Sequence, residues 1–191
     1  MIRWLFAILG GLVLGGIVHL VSVLALPRVA TKDAYSRLAP ITNINAVAQL
    51  PVAEPRNALL PFQDPAFATA VCRYDLSFGS IKFSVPVSQA YTSVTFYTRN
   101  EVAYYAINDR SAGRRVIELD LMTPEQKAEL PEDEEITAAD RLIIESPTPT
   151  GLIIIKALAA EPDLMPQARA SLMAANCRVQ TDQAARTPPG R

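Results

Sequence analysis

The stretch CRYDLSFGSIKFSV, residues 72–85, decides the fold class of this chain. Every second residue up to Phe78 is apolar, and the same alternation begins again at Ile81, after Gly79-Ser80. Apolar residues at every second position are typical of a strand with one buried face. A two-residue connection of glycine and serine between two such runs favours a tight hairpin. We therefore predict a pair of antiparallel strands here and a β-rich domain around it.

Further strand and helix patterns lie on both sides of this stretch. Runs with strand periodicity occupy residues 91–98, 102–107, 115–121, 142–145 and 152–158. Thr123-Pro124-Glu125-Gln126 predicts a short capped helix, residues 163–176 predict a C-terminal helix, and Asp64-Pro65 predicts a helix over 66–70. The expected fold is mainly β (α+β): an antiparallel sheet or sandwich, jelly-roll-like, with a short mid-chain helix and a C-terminal packing helix.

The N-terminal block is a candidate membrane span. Residues 4–26 carry no formal charge and are mostly apolar. As a helix they would extend about 34 Å, enough to cross the hydrocarbon core of a bilayer. We predict an uncleaved transmembrane anchor, with a cleaved secretory signal ending near Ala25 as the alternative; the flanking charges do not decide the orientation. The predicted divisions are an anchor over 1–27, a connector ordered against the domain over 28–61, a β-rich domain over 62–178 and a loose tail over 179–191.

One face of this span carries small residues at a four-residue spacing. Ala7, Gly11 and Gly15 share the face, and His19 follows one turn later. Small residues let a second helix approach closely, and an ionisable side chain inside a bilayer must find a partner or stay neutral. We predict a helix contact on this face. The alternatives are small residues without a partner and a neutral imidazole bonded to a carbonyl or to water.

The two cysteines of the chain, Cys72 and Cys177, bracket the predicted domain. A disulfide between them would close a loop of about 105 residues and contribute about 4–5 kcal/mol in the chain-entropy model. Disulfides require an oxidising compartment, so we place the domain outside the cytoplasm. Two unrelated buried thiols are the alternative, because spacing alone does not show that the cysteines meet.

Composition excludes several classes of function. The formal net charge of −1 provides no basic field for a phosphate backbone, so we expect no nucleic-acid partner. The single histidine is His19, which removes histidine-assisted nucleophilic catalysis and imidazole zinc sites from the domain. The sequence also contains no phosphate-binding or dinucleotide-binding glycine motif, so we expect no cofactor and no metal. The acidic run at 132–135 is predicted to be a solvated loop, with a weak surface for a cation or a basic partner as the alternative.

Carboxylate chemistry is what the remaining residues allow. Asp75 and Asp109 are the acids most closely tied to predicted strands, and a pair of carboxylates could hydrolyse a glycoside. Asn108-Asp109 is equally a natural turn dipeptide. Tyr97 and the other aromatic residues of 91–105 could line an apolar or sugar-binding groove, or form core and cross-strand pairs.

Several short motifs together resemble one bacterial family. They are His19-Leu20-Val21, Tyr35-Ser36-Arg37-Leu38, Asp64-Pro65 with Phe67, Cys72-Arg73-Tyr74-Asp75-Leu76, Asn108-Asp109-Arg110, Leu121-Met122-Thr123-Pro124-Glu125-Gln126 and Asn176-Cys177-Arg178. Across most of its length the chain resembles the short, membrane-anchored members of the domain of unknown function 1254 family. The resemblance implies a β-rich domain on the outer face of a bacterial inner membrane. It implies no activity and no catalytic residue. It also implies a partner for the Ala7, Gly11 and Gly15 face, a second single-span protein of the domain of unknown function 1214 family.

We therefore expect a non-enzymatic, single-pass protein of the bacterial inner membrane, in contact with the lipid bilayer. Its periplasmic domain is expected to bind a partner protein or an envelope ligand. The residues predicted to bind are Arg73, Asp75, Tyr97, Asn108, Asp109 and Arg110. The alternative is a carboxylate-dependent envelope hydrolase that acts on a glycan or a lipid-linked substrate.

Overall fold

The structure is a computed structural model. It describes residues 2–29, 33–51, 63–113, 115–130 and 142–180, with the backbone alone over 27–29. The chain divides into two compact units, residues 1–33 and 34–191. The predicted acidic loop at 132–135, residues 52–61 of the predicted connector and residues 181–191 of the predicted tail lie outside the described residues.

The first unit is helix α1, Ile2–Val29. Its segment Ile2–Leu26 has a mean hydropathy of 2.3, and its length and composition would allow it to cross a membrane. A signal sequence near the N-terminus has the same properties. The predicted apolar helix is therefore present.

The second unit contains two β-sheets. Sheet A consists of β1 (Val47–Gln49), β2 (Phe67–Asp75), β4 (Thr92–Thr98), β5 (Ala103–Asn108) and β8 (Thr150–Leu158), in the spatial order β1-β2-β8-β4-β5. Sheet B consists of β3 (Ile81–Pro86), β6 (Val116–Met122), β7 (Leu142–Glu145) and β9 (Asn176–Val179), in the order β7-β6-β3-β9. The mainly β, α+β fold is confirmed.

Sheet B departs from the predicted antiparallel pattern at one pairing. β7 runs parallel to β6, with Leu119 opposite Leu142, whereas the other strand pairings within the two sheets are antiparallel. A parallel pair needs a long crossover connection, and the chain between Met122 and Leu142 supplies one. β9 also extends to Val179, opposite Ile81, so the predicted tail begins inside a strand.

Among the described residues of the second unit there are four short α-helices. They are α2 (Ala34–Arg37), α3 (Asp109–Ala112), α4 (Pro124–Ala128) and α5 (Met165–Met173). The predicted capping box of α4 is present, because Thr123 and Gln126 each accept a hydrogen bond from the other's backbone N–H. The predicted C-terminal helix is shorter than expected, since the chain after α5 turns into β9.

Two local predictions are wrong. The runs on either side of Gly79-Ser80 do not form a hairpin, because a 3₁₀ turn at Leu76–Phe78 carries the chain from sheet A to sheet B. Residues 67–70 are part of β2 rather than a helix. Asp64 accepts a hydrogen bond from the N–H of Ala66 in a local turn, and the following residues pair with β8. In both places pairing with a distant strand overrides the local pattern.

The inner faces of the two sheets form the main core. Phe83 of sheet B meets Phe96 of sheet A edge to face, with ring centroids 6.2 Å apart. Cys72 in β2 and Cys177 in β9 are bonded across the sandwich, with their Cα atoms 6.5 Å apart. The predicted disulfide is therefore present, and it ties sheet A to sheet B.

A second apolar cluster lies on the outer face of sheet A. Tyr35 and Leu38, in and just after α2, pack there with Leu50 against Val71 and Leu152. Part of the predicted connector is thus ordered against the domain.

The two open sides of the sandwich differ. On one side, α5 contacts β1, β2 and β8 of sheet A and β3 of sheet B, and it buries Ala168 and Leu172 in the main core. On the other side, where β5 ends sheet A, only the single turn α3 contacts both β5 and β6 among the described helices. This second side carries the candidate site.

Candidate functional site

A groove of about 410 Å³ lies between the edge strand β5 and strands β6 and β7. It is lined by Tyr105, Ala106 and Ile107 of β5, Ser111 and Ala112 of α3, Val116, Ile117 and Glu118 of β6, and Leu142 of β7. Tyr105, Ile107 and Leu142 are half-buried beside the core, whereas Ser111 and Glu118 are exposed at the rim. The groove therefore combines an apolar floor with two polar groups.

A β-bulge places the aromatic residues beside this groove. In the pairing of β4 with β5, Phe96 lies opposite Tyr105 and Tyr97 lies opposite Ala103, so Tyr104 is an extra residue. A bulge of this kind re-aims a side chain. As a result both Tyr104 and Tyr105 turn toward Phe96, with ring centroids 6.2 Å and 6.0 Å from its ring.

Tyr104, which precedes the groove residue Tyr105, belongs to a cluster of three hydroxyl groups. The Tyr74 hydroxyl lies 2.9 Å from Ser146 Oγ, 3.2 Å from the Tyr104 hydroxyl and 3.1 Å from the carbonyl oxygen of Tyr97. Ser146 donates to the carbonyl of Thr148. The three hydroxyl protons are enough for these hydrogen bonds if Tyr104 donates to Tyr74 and Ser146 donates to the carbonyl of Thr148. The proton of Tyr74 is then shared between Ser146 Oγ and the carbonyl oxygen of Tyr97.

Burial and the neighbouring Tyr74 raise the pKa of Tyr104 well above its ordinary value. The phenol therefore stays protonated well above neutral pH. The cluster links β5 to the core, because the Tyr104 hydroxyl lies 3.2 Å from that of Tyr74.

Gly151 in β8 makes room for this cluster. A Cβ atom at this position would lie 2.5 Å from Tyr74 Cζ and would also overlap the Tyr74 hydroxyl and the carbonyl oxygen of Tyr97. Gly151 lies opposite Tyr74 in the register of β2 and β8. A side chain here would displace the tyrosine ring, so the close approach requires glycine.

The predicted binding residues fall at two separate places. Arg73 is on the outer face of sheet A, where its guanidinium lies 4.3 Å from the centroid of the Tyr35 ring and Nη1 donates to the carbonyl of Thr42. Tyr97 packs beside the same outer cluster. Asp75 accepts hydrogen bonds from the backbone and hydroxyl of Ser77, so it holds the 3₁₀ turn between the sheets.

Asn108, Asp109 and Arg110 lie at the opposite end of sheet A, beside the groove but outside its lining. Asn108 caps α3 by accepting a hydrogen bond from the N–H of Ser111, 2.9 Å away. Asp109 Oδ1 is buried and has no hydrogen-bond partner among the described residues, and Arg110 is exposed. The dipeptide Asn108-Asp109 therefore begins a helical turn.

Asp75 and Asp109 cannot act as a carboxylate pair. Asp75 lies opposite Thr150 of β8, whereas Asn108 is aligned through Ser93 with Lys156, six residues further along the same strand. At about 3.3 Å per residue the two acids are roughly 20 Å apart along the strands alone. Among the described residues no group of three or more histidine, cysteine or acidic side chains could hold a metal ion.

The residues predicted for a helix contact lie on α1. Ala7, Gly11, Gly15 and His19 are exposed, and a Cβ atom added at Gly11 or Gly15 would meet nothing within 4 Å. A close helix contact on this face remains a prediction.

Sequence reasoning missed the cluster and most of the groove. Ser111, Glu118 and Leu142 come from three separate elements, and no local pattern connects them. Gly151 gave a usable signal, because a glycine at the start of an apolar strand often marks a close approach of other groups.

Comparison with one solved structure supports the fold. The chain is similar to the crystal structure of the VPA0106 protein from Vibrio parahaemolyticus, with a TM-score of 0.59 and 12% identity, over 83% of this chain and 37% of that one. It is also similar to an uncharacterized protein from Burkholderia cenocepacia, with a TM-score of 0.44 and 14% identity, over 63% of this chain and 33% of that one. The chain thus spans about a third of the length of either protein.

No curated protein matches the sequence. A family model described as a protein of unknown function, DUF1254, matches residues 41–179, which include both sheets and the disulfide. The chain therefore belongs to the DUF1254 family.

Proposed function

We propose that this protein is a single-pass protein of the bacterial inner membrane whose periplasmic β-sandwich binds a partner protein or an envelope ligand in the groove beside β5. The apolar helix α1 supports the anchor, by its length and its mean hydropathy of 2.3. The bond between Cys72 and Cys177 supports an oxidising compartment, because such bonds are rare in the cytosol.

The observation that carries the binding proposal is the open side of the sandwich. Helix α5 closes one side, whereas on the other side the described residues leave a groove of about 410 Å³ with Tyr105, Ile107 and Leu142 on its floor. Ligand sites typically have volumes of about 300–1,000 Å³ and an apolar lining with a few polar groups. The groove has a volume in this range, with apolar side chains on its floor and the polar side chains of Ser111 and Glu118 at its rim.

Photo-crosslinking in the native envelope tests the groove. With Tyr105→p-benzoylphenylalanine in the full chain, we expect an adduct of one defined mass. Adding Ser111→Trp, which fills the groove from its rim, should abolish the adduct. Arg110→Trp is the matched control, because Arg110 is the exposed neighbour that does not line the groove. An adduct that persists in S111W, or disappears equally in R110W, would show that the groove is not the binding site.

The mass of the mature protein tests the anchor. An uncleaved anchor retains Met1 or the residue after it, and the protein stays in the membrane fraction after an alkaline wash. A mature chain that begins just after Ala25 would show that α1 is a signal sequence.

The small-residue face of α1 is the proposed contact with a second single-span protein, of the domain of unknown function 1214 family. Replacing Gly11 and Gly15 with leucine would add side chains to a face that is now open. The G11L/G15L variant should lose at least half of the partner recovered with the wild-type chain from detergent-solubilised membranes. Unchanged recovery would count against a contact through this face.

A further inference from the structure

We infer that the occupant of the groove is an extended segment of another polypeptide, which adds to the free edge of β5 as a sixth strand of sheet A. This inference rests on the proposed function, since it takes the groove as the binding site and specifies the chemistry of what enters it. The argument comes from the edge strand, its backbone groups and the space beside it.

The edge at β5 differs from the other three sheet edges. Its six residues, Ala103–Asn108, carry no charge and no proline. β1 has three residues and is contacted by α5, whereas β7 and β9 have four residues each and carry Glu145 and Arg178. Proteins usually protect exposed edges by shortness, charge, proline, a bulge or cover. Among the described residues, β5 has neither charge nor proline and is longer than the other edge strands, and its partial protections are the bulge at Tyr104 and the contact with the single turn α3.

The backbone groups on this outer side favour a polypeptide as the ligand. The N–H of Thr98 donates to the carbonyl of Val102, which fixes the residues of β4 that bond to β5. By the alternation of an antiparallel ladder, Tyr105 and Ile107 bond to β4, and Ala106 directs its N–H and C=O away from the sheet. A partner strand can bond to both groups, whereas an acyl chain can bond to neither.

The groove provides side-chain space for a strand at this position. A strand beside β5 would direct every second side chain toward the opening between the sheets, where Tyr105, Ile107 and Leu142 form the floor and Ala112 also lines the groove. An incoming segment with apolar residues at alternate positions would fill this space.

A second copy of the same sandwich does not fit this requirement. The inward side chains of its own β5, Tyr105 and Ile107, are already packed against its own core. The segment that binds must therefore have apolar side chains that are not already packed in a core, and we infer that it is extended.

Binding of short peptides to the purified full chain in detergent tests the inference. The probe is a set of synthetic heptapeptides with threonine at odd positions and valine, isoleucine, leucine or phenylalanine at even positions. We expect at least one member to bind with a dissociation constant in the micromolar range and to slow hydrogen exchange at the Ala106 amide at least tenfold. The same peptide with N-methylated backbone on its β5-facing edge should bind at least tenfold more weakly.

Two variants separate this inference from the proposed function. Ala106→Pro removes the outward N–H and should weaken binding at least tenfold, while Ala106→Val keeps the N–H and should stay within about threefold of wild type. Proline is tolerated at edge positions with an outward N–H, and circular dichroism with the melting temperature verifies the fold. If A106P does not fold, the N-methylated peptide decides the same question.

The outcomes are distinct. Suppose that S111W abolishes crosslinking at Tyr105. If no heptapeptide then binds, or if neither A106P nor N-methylation weakens peptide binding, strand addition is overturned, while the groove is retained as the binding site. If S111W changes neither crosslinking nor peptide binding, the proposed function and the inference both fail. Weaker peptide binding in A106P but not in A106V, together with weaker binding of the N-methylated peptide, supports strand addition.

Discussion

Replacing Gly151 with alanine tests whether the hydroxyl cluster of Tyr74, Tyr104 and Ser146 depends on a position without a side chain. The added Cβ would lie closer to Tyr74 and to the carbonyl oxygen of Tyr97 than the 3.0 Å that real contacts keep. The Tyr74 ring has no free space, because it is fully buried in the main core. The carbonyl of Tyr97 belongs to the backbone of β4, so it can move only if the pairing of β4 with β8 shifts.

The expected loss of stability has two parts. Forcing an extra methyl group into a packed site costs about 1–3 kcal/mol. Displacing Tyr74 also breaks its hydrogen bonds to Ser146 and to the Tyr97 carbonyl, at about 1 kcal/mol each. We therefore expect Gly151→Ala to lower the free energy of unfolding by about 3–5 kcal/mol, a large share of the roughly 5–15 kcal/mol of a typical domain.

Urea denaturation monitored by circular dichroism measures this loss of stability. Gly113→Ala is the control, because Gly113 has a φ of +60° but an added Cβ there meets nothing within 4 Å; this variant reports the backbone strain alone, about 1 kcal/mol. Tyr74→Phe removes only the hydroxyl and should fall between the two. A loss in G151A no larger than in G113A would refute the close approach of Tyr74 to β8.

Two further predictions concern the bond between the sheets and the buried phenol. Replacing Cys72 and Cys177 with alanine should lower the free energy of unfolding by up to about 4–5 kcal/mol, because the bond closes a loop with a sequence separation of 105; a denaturation midpoint unaffected by the substitutions would contradict this. Burial raises the pKa of Tyr104 above its ordinary value of 10.0. When the pH is above 10.0, the unfolded chain releases this proton while the folded chain keeps it. The free energy of unfolding should therefore fall by about 1.4 kcal/mol for each unit of pH increase in this range. Tyr104→Phe should show a shallower decline in alkaline urea titrations, and an identical slope would argue against a buried phenol.

The features that could be predicted from sequence are those decided within a few residues or by composition. The β4–β5 pair is recognisable because two alternating runs flank a short polar turn at Arg99-Asn100, and the capping box of α4 because Thr123 and Gln126 satisfy each other's backbone. The apolar block of α1 is evident from composition alone.

The features that could not be predicted depend on which distant strand a segment joins. Residues 67–70 carry a helix-start signal, but nine residues of β2 pair with β8 and outweigh it. The Gly79-Ser80 turn has the composition of a hairpin, yet β3 pairs with β6 and β9 instead of β2. The groove is hidden for the same reason, since β5, β6 and β7 meet only after both sheets have formed.

The extra residue in β5 links the buried cluster to the open edge. Without the bulge, Tyr104 and Tyr105 would point to opposite faces of sheet A, because side chains alternate along a strand. With it, both rings contact Phe96, and Tyr104 also bonds to Tyr74. An edge strand has hydrogen bonds to a neighbouring strand on one side only, so these inward contacts hold β5 in place without using its outer backbone groups. A strand fixed in this way loses little conformational freedom when a partner segment pairs with it, which favours binding at this edge.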